Sequence, residues 1–138
     1  MDNLAILCVD DQTVVLEGLI EQLRSNLGDL CEIEAAESGE TALEILEELQ
    51  AEGIEVPLIV ADQIMPGMKG DELLIRVHER YPEIVTIMLT GQASEAAISD
   101  VKEKANLHCC VRKPWNYEEL MGILQDILSS AKVTSDRL

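Results

Sequence analysis

Five side chains that could share one reaction stand at or just after the ends of short apolar runs. Asp10 and Asp11 follow the first run, Asp62 ends the third, Thr90 ends the fourth and Lys113 follows the fifth. If these ends meet in space, each close pair of carboxylates repels by on the order of 4 kcal/mol at an effective dielectric of about 20. A divalent cation relieves that repulsion. Because the candidate ligands are hard oxygens, Mg²⁺ or Mn²⁺ is favoured over zinc.

The same set of side chains suits phosphoryl transfer. Mg²⁺ held by a few carboxylates keeps waters that it can exchange for phosphate oxygens. Lys113 adds a positive charge and Thr90 a hydroxyl donor, and both can stabilise the oxygens of a phosphoryl group in transit. A carboxylate can act as the nucleophile and form an aspartyl phosphate.

The elements that position these residues are indicated by short apolar runs alternating five times with segments of helical period. This alternation predicts an α/β fold: a doubly wound five-stranded parallel sheet in a flavodoxin-like (βα)5 three-layer sandwich. The second run alternates polar and apolar residues, as an edge strand does, so the predicted strand order is 2-1-3-4-5. The predicted strands are 4–9, 31–36, 57–62, 84–90 and 107–112, and the predicted helices are 13–27, 38–51, 69–80, 94–105 and 116–130.

The strand order decides whether the five side chains meet. In open α/β sheets the ligand crevice lies beyond the carboxyl ends of the strands, where the strand order reverses. We therefore expect Asp10, Asp11, Asp62, Thr90 and Lys113 to converge on one crevice. Taken singly, Asp11 could cap the first helix, Asp62 could form a turn and Lys113 could be a solvated charge. Their coincidence at strand ends favours a shared site.

Composition and charge exclude several classes of partner. With 138 residues, the chain fits one domain with one core. Its 27 acidic residues outnumber 10 basic ones, and the formal charge of −17 repels nucleic acid and anionic membranes. No leader-like segment and no apolar run near the ~18 residues of a membrane span is present. The four cysteines form no CxxC pair, so a cytoplasmic, reducing location is the expectation.

Four motifs resemble the receiver domain of bacterial two-component response regulators. They are VDD at 9–11, ADQIMPGMKGDELL at 61–74, MLTGQA at 88–93 and RKPW at 112–115. Each motif stands at the end of its proper predicted strand, and the resemblance covers residues 3 to 130. It implies that Asp62 is the phosphoacceptor.

The resemblance also implies how the site is built. Asp11 is implied to bind Mg²⁺ directly, Asp10 largely through water, and Asp62 and the backbone carbonyl of Ile64 complete the protein ligands. Lys113 is implied to contact the phosphoryl group, and Thr90 to swing toward it as the switch residue. In this family the bond between Lys113 and the following proline is commonly cis, which is energetically accessible before proline.

Three positions depart from the family pattern. Cys110 stands where most receivers carry Tyr or Phe, which puts the usual coupling of the threonine to an aromatic ring in question, although Thr90 can still move. Trp115 replaces the usual Phe and is predicted to pack against the core. Ile64, two residues past Asp62, should border the phosphoryl group and could hinder the attacking water, which predicts a long-lived aspartyl phosphate.

The favoured function is a signalling switch and not an enzyme with an external substrate. It would accept a phosphoryl group on Asp62 from a sensor histidine kinase or a histidine phosphotransfer protein, and then control a downstream effector or a fused output domain. The alternative is a haloacid dehalogenase-like Mg²⁺-dependent phosphatase, which needs an acid where this chain has Gln12. A flavodoxin-like cofactor binder is the third hypothesis, but Asp10 and Asp11 would repel its phosphate.

The domain interpretation assigns residues 1–130 to a receiver domain and 131–138 to a polar tail or linker. The protein could therefore be a stand-alone regulator or a piece of a longer one, and a monomer or a homodimer. Neither nucleic acid nor membrane is an expected direct partner.

Overall fold

A computed structural model describes residues 4–91 and 95–136. Residues 92–94, which include the end of the MLTGQA motif and the predicted start of the fourth helix, lie outside the described residues. Strands and helices alternate along the described chain as predicted. They are β1 (Leu4–Val9), α1 (Thr13–Leu27), β2 (Glu32–Ala36), α2 (Gly39–Ala51), β3 (Glu55–Asp62), α3 (Gly70–Arg80), β4 (Val85–Thr90), α4 (Glu95–Ala105), β5 (Leu107–Arg112) and α5 (Tyr117–Asp136).

The five strands form one parallel sheet in the order β2-β1-β3-β4-β5, which confirms the predicted fold. The order follows from burial. β1 is buried at every position, as a central strand covered by helices on both faces must be. β2 is less covered: Ile33 and Ala36 are buried, whereas the other three positions are accessible, as the edge-strand prediction requires.

The core has two halves, one on each face of the sheet. Successive residues of a strand point to opposite faces, so Leu4, Ile6 and Cys8 of β1 pack with α1 and α5. The alternate residues Leu7 and Val9 pack with α2, α3 and α4. The helices on both faces of the sheet hold β1 in place. The carboxyl end of β1, which the paired aspartates follow, is therefore fixed in position.

Side-chain caps mark the starts of α2 and α5. Ser38 accepts a hydrogen bond from the backbone N–H of Thr41 at the start of α2, at 3.2 Å. The side-chain oxygen of Asn116 accepts from the backbone N–H of Glu119 at 2.9 Å before α5. At α1, by contrast, the N-cap is Gln12 and it makes no side-chain capping bond.

Two element boundaries differ from the prediction by more than one residue. β3 begins at Glu55, two residues before the predicted start, and its register with β1 shifts by one residue between Leu4 and Ile6. Pro57 lacks an N–H and is tolerated at such an irregularity. α5 continues to Asp136, past its predicted end at 130, and the added residues contain no Gly or Pro that would stop the helix.

Candidate functional site

Asp10 directly follows β1 and is held by three hydrogen bonds at the carboxyl-terminal edge of the sheet. Its backbone N–H donates to the carbonyl of Ala36 in β2 at 3.1 Å. One carboxylate oxygen accepts from the backbone N–H of Gln12, and the other accepts from Nζ of Lys113, each at 2.9 Å. The residue is 1% exposed. Asp11 does not cap α1, because Gln12 occupies the N-cap, and its carboxylate contributes an oxygen to the acidic cluster.

Asp62 ends β3 beside this pair and is also buried. Its Oδ1 lies 3.0 Å from Nζ of Lys113, so one ammonium group bridges the carboxylates of Asp10 and Asp62. Lys113 is positioned from β4, since its backbone N–H donates to the carbonyl of Thr90 at 2.8 Å. The ends of β1, β3 and β4 are therefore joined through one lysine.

The three carboxylates form a cluster whose donors suit a hard divalent cation. Asp10, Asp11 and Asp62 each offer one carboxylate oxygen, and these oxygens lie within 4.8 Å of one another. All are hard oxygen donors, the type that Mg²⁺ and Mn²⁺ prefer. One side of the cluster faces solvent at Asp11, which leaves a route for an ion and its waters.

The pKa shifts in this cluster indicate that its carboxylates carry more negative charge than Lys113 balances. Burial raises the pKa of the Asp62 carboxyl, and the charges of Asp10 and Asp11 raise it further, while Lys113 opposes them. Burial alone would lower the pKa of Lys113, but its bonds to Asp10 and Asp62 outweigh burial and raise it. The lysine is therefore charged at neutral pH and only partly balances three carboxylates.

Thr90 ends β4 next to the cluster and is 1% exposed. Its hydroxyl donates to Oε1 of Gln63 at 2.8 Å. Gln63 was not predicted as a site residue. Its polar side chain directly after Asp62, at the end of a buried strand, was a signal that could have identified it. The neighbouring Ile64 lies at the rim with 66% of its surface exposed.

Comparison with known proteins decides the family. The model of the response regulator receiver domain matches residues 6–125. The chain belongs to this family. This receiver domain is 29% identical to the signal receiver domain of an HD domain-containing protein from Pseudomonas fluorescens, with a TM-score of 0.80, covering 100% of this chain and 96% of that one. A CheY-like receiver domain protein from Methanospirillum hungatei is 27% identical, with a TM-score of 0.79, covering 96% and 99%.

Curated relatives are much longer than this receiver domain. The sensor kinase CckA of Brucella abortus is 32% identical over 89% of this chain, which spans 12% of that protein. The hydrogenase transcriptional regulatory protein HoxA of Cupriavidus necator is 37% identical over 59% of this chain and 17% of its own length. The chain thus spans less than a fifth of these relatives. Within residues 4–91 and 95–136, no helix is long and apolar enough to cross a membrane.

The residues around Lys113 follow the expectations drawn from the family resemblance. The peptide bond from Lys113 to Pro114 is cis. Trp115 packs against the core, as predicted, and its indole N–H donates to Oε1 of Gln22 in α1 at 3.0 Å. Cys110 is half-buried and packs on the α4 side of β5, where receivers usually place an aromatic ring.

The cysteines and histidines lie apart from the acidic cluster. All four cysteines are free thiols. Burial raises the pKa of the Cys31 thiol to about 11 and raises that of Cys8 as well, so both behave as apolar core residues. His108 is exposed on β5, whereas His78 on α3 is half-buried and its Nδ1 has no hydrogen-bond partner among the described residues.

Proposed function

We propose that this receiver domain is a phosphoacceptor switch that takes a phosphoryl group on Asp62. The observation that supports this most directly is the cluster of Asp10, Asp11 and Asp62, with Lys113 bridging two of its carboxylates. An aspartate at the carboxyl end of a central strand, beside a lysine and a buried hydroxyl, is equipped to receive phosphate and to sense it. Haloacid dehalogenase chemistry is less well supported, because the family is that of receivers and position 12 is Gln12.

We infer that Asp10, Asp11, Asp62 and the backbone carbonyl of Ile64 would hold Mg²⁺, or Mn²⁺ in its place. When bound, the ion would neutralise the carboxylates and draw charge from the phosphoryl oxygens. The chain's own residues position the reaction. The sheet fixes Asp62 at the end of β3, where it is 6% exposed, and Lys113 holds a positive charge 3.0 Å from its Oδ1.

The transfer step follows from these positions. A carboxylate oxygen of Asp62 attacks the phosphorus of a phosphohistidine, and the P–N bond breaks as the O–P bond forms. The imidazole, protonated at its other nitrogen, leaves as a neutral group. The Lys113 ammonium is then free to pair with an oxygen of the new phosphoryl group.

The donor and the output are proposals drawn from the relatives. Receivers occur within a protein named a sensor kinase and within one named a transcriptional regulatory protein. We propose a histidine kinase or histidine phosphotransfer protein as the donor, and an effector or fused output domain as the target. Residues 1–130 would form the regulatory unit, as a monomer or homodimer in the cytoplasm, with no external substrate to turn over and no direct contact with nucleic acid or membrane.

The experiment that separates switch from phosphatase uses acetyl phosphate and Mg²⁺. We expect intact-protein mass spectrometry to show one phosphoryl adduct that is sensitive to hydroxylamine and absent without Mg²⁺. Continuous release of phosphate from several phosphate esters, without any accumulating adduct, would instead support the phosphatase. Asp62→Asn is the matched variant that should take no adduct.

Ile64→Asn should shorten the lifetime of the adduct several-fold. The side chain lies at the rim beside Asp62 with 66% exposure, so an amide there can orient the attacking water, whereas isoleucine cannot. The measurement is the decay of phosphorylated protein after removal of acetyl phosphate. Ile64→Leu, which keeps an apolar side chain, should decay like the wild type, and equal decay of all three proteins would contradict the prediction.

A further inference from the structure

Gln63 is held in a fixed position beside Thr90. Its backbone N–H donates to the carbonyl of Leu89 in β4 at 2.9 Å. Its backbone carbonyl accepts from the N–H of Gly70, the first residue of α3, at 2.8 Å. The residue is 8% exposed, and its side-chain oxygen accepts from the Thr90 hydroxyl at 2.8 Å. Sheet and helix together place this amide where it can bind the hydroxyl.

The Thr90 hydroxyl has one hydrogen to donate. Asp62 pairs in register with Leu89, so Thr90 is the next residue along β4 and lies beside the position of a phosphoryl group on Asp62. That group would bring three acceptor oxygens into a buried site. Donation to a phosphoryl oxygen therefore requires the hydrogen bond to Gln63 to break.

We propose that Gln63 is a positioning residue that holds the Thr90 hydroxyl in the resting conformation and thereby opposes the phosphorylated one. The inference depends on the proposed phosphorylation of Asp62. The Gln63–Thr90 hydrogen bond stabilises only the resting state. When it breaks, the buried amide oxygen of Gln63 loses its hydrogen-bond donor, which costs free energy. Gln63 thus sets how much phosphorylation is needed to populate the switched state.

Gln63→Met tests this role, because methionine has a similar length and no strong acceptor. We measure the concentration of beryllium fluoride that half-saturates the protein in the presence of Mg²⁺. We expect this concentration to fall about tenfold in the variant, because the variant loses the Gln63–Thr90 hydrogen bond, which is made in the resting state only. Beryllium fluoride is used as a tetrahedral mimic of the phosphoryl group. The γ-methyl resonance of Thr90 should also move, before any fluoride is added, toward its position in saturated wild type.

Gln22→Met is the matched control. It makes the same chemical change at a glutamine of α1 that is not a member of the acidic cluster and whose side-chain oxygen accepts from the indole N–H of Trp115 at 3.0 Å. We expect its half-saturating concentration to stay within about twofold of wild type. An effect of equal size in both variants would show general destabilisation and overturn the inference. Gln63→Leu repeats the test should methionine disturb folding.

Two further outcomes separate the inference from the proposed function. A wild type that binds beryllium fluoride with Mg²⁺, together with Gln63 variants of unchanged affinity and an unchanged Thr90 methyl resonance, would overturn the role of Gln63 and leave the phosphoacceptor intact. A wild type that ignores beryllium fluoride at any Mg²⁺ concentration would contradict the phosphoacceptor itself. If neither variant folds, the Gln63 side-chain amide resonances of the wild type must shift on saturation, and unshifted resonances would overturn the inference.

Discussion

Lys113→Met is expected to lower the free energy of unfolding by about 3 kcal/mol in the absence of divalent cations. Nζ of Lys113 lies 2.9 Å from a carboxylate oxygen of Asp10 and 3.0 Å from one of Asp62. Both aspartates are buried, so removal of the lysine leaves two carboxylates without their cation. Mg²⁺ should restore more stability to the variant than it adds to the wild type, because the ion replaces the missing charge.

The deficit of Lys113→Met should depend on pH. The pKa of the Asp62 carboxyl is raised in the folded state. The stability that this carboxyl contributes is therefore complete below its unfolded pKa and is lost as the pH rises through its folded pKa. Without Lys113 this pKa rises further. The deficit should therefore be largest at neutral pH and shrink on acidification.

Urea denaturation with EDTA and with excess Mg²⁺ measures these effects. Lys104→Met is the matched control, because Lys104 forms an exposed pair with Asp100 at 3.2 Å. An exposed helical pair of this kind contributes about 0.5 kcal/mol or less. A loss in Lys113→Met no greater than in Lys104→Met, or a response to Mg²⁺ equal to that of the wild type, would contradict the bridging role.

Gly70→Ala should destabilise the fold by about 3 kcal/mol and also impair phosphorylation. A Cβ at Gly70 would lie inside van der Waals distance of the Asp62 carbonyl oxygen and 2.9 Å from Cα of Gln63. The atoms in the way are backbone, so relief requires the start of α3 to move from the end of β3. That movement would break the bond from Gly70 to the Gln63 carbonyl and displace Asp62.

Gly18→Ala is the control for this substitution. Gly18 lies within α1, and a Cβ there would meet nothing within 4 Å. Alanine is favoured over glycine in a helix by roughly 0.5–1 kcal/mol, so Gly18→Ala should stabilise the protein. Urea midpoints that move in the same direction for both variants would contradict the steric argument.

The sheet and the site were predictable for one physical reason. Strands that are buried on both faces have nearly continuous apolar sequences, and β1, β3 and β4 have such sequences. Once the edge position of β2 fixes the strand order, the chain has little freedom in where its carboxyl ends meet. Asp10, Asp11 and Asp62 come together as a consequence, and Lys113 reaches them from the far side of β4.

Other features depend on contacts that the sequence pattern does not encode. Gln63 is one, because its importance comes from a hydrogen bond to Thr90 on another strand. The bridging position of Lys113 is another, since the sequence pointed to a phosphoryl contact and not to a lysine shared by Asp10 and Asp62. The extra residues of β3 were missed because they include charged Glu55, which no apolar run predicts.

The central claim is that Asp62 is the residue that takes the phosphoryl group. The most direct test treats the protein with acetyl phosphate and Mg²⁺, reduces it with borohydride, and maps the product by peptide mass spectrometry. Borohydride cleaves an acyl phosphate and leaves homoserine in place of the phosphorylated aspartate. We predict homoserine at position 62 and unmodified aspartate at 10 and 11. Homoserine elsewhere, or none under conditions that phosphorylate a control receiver, would contradict the claim.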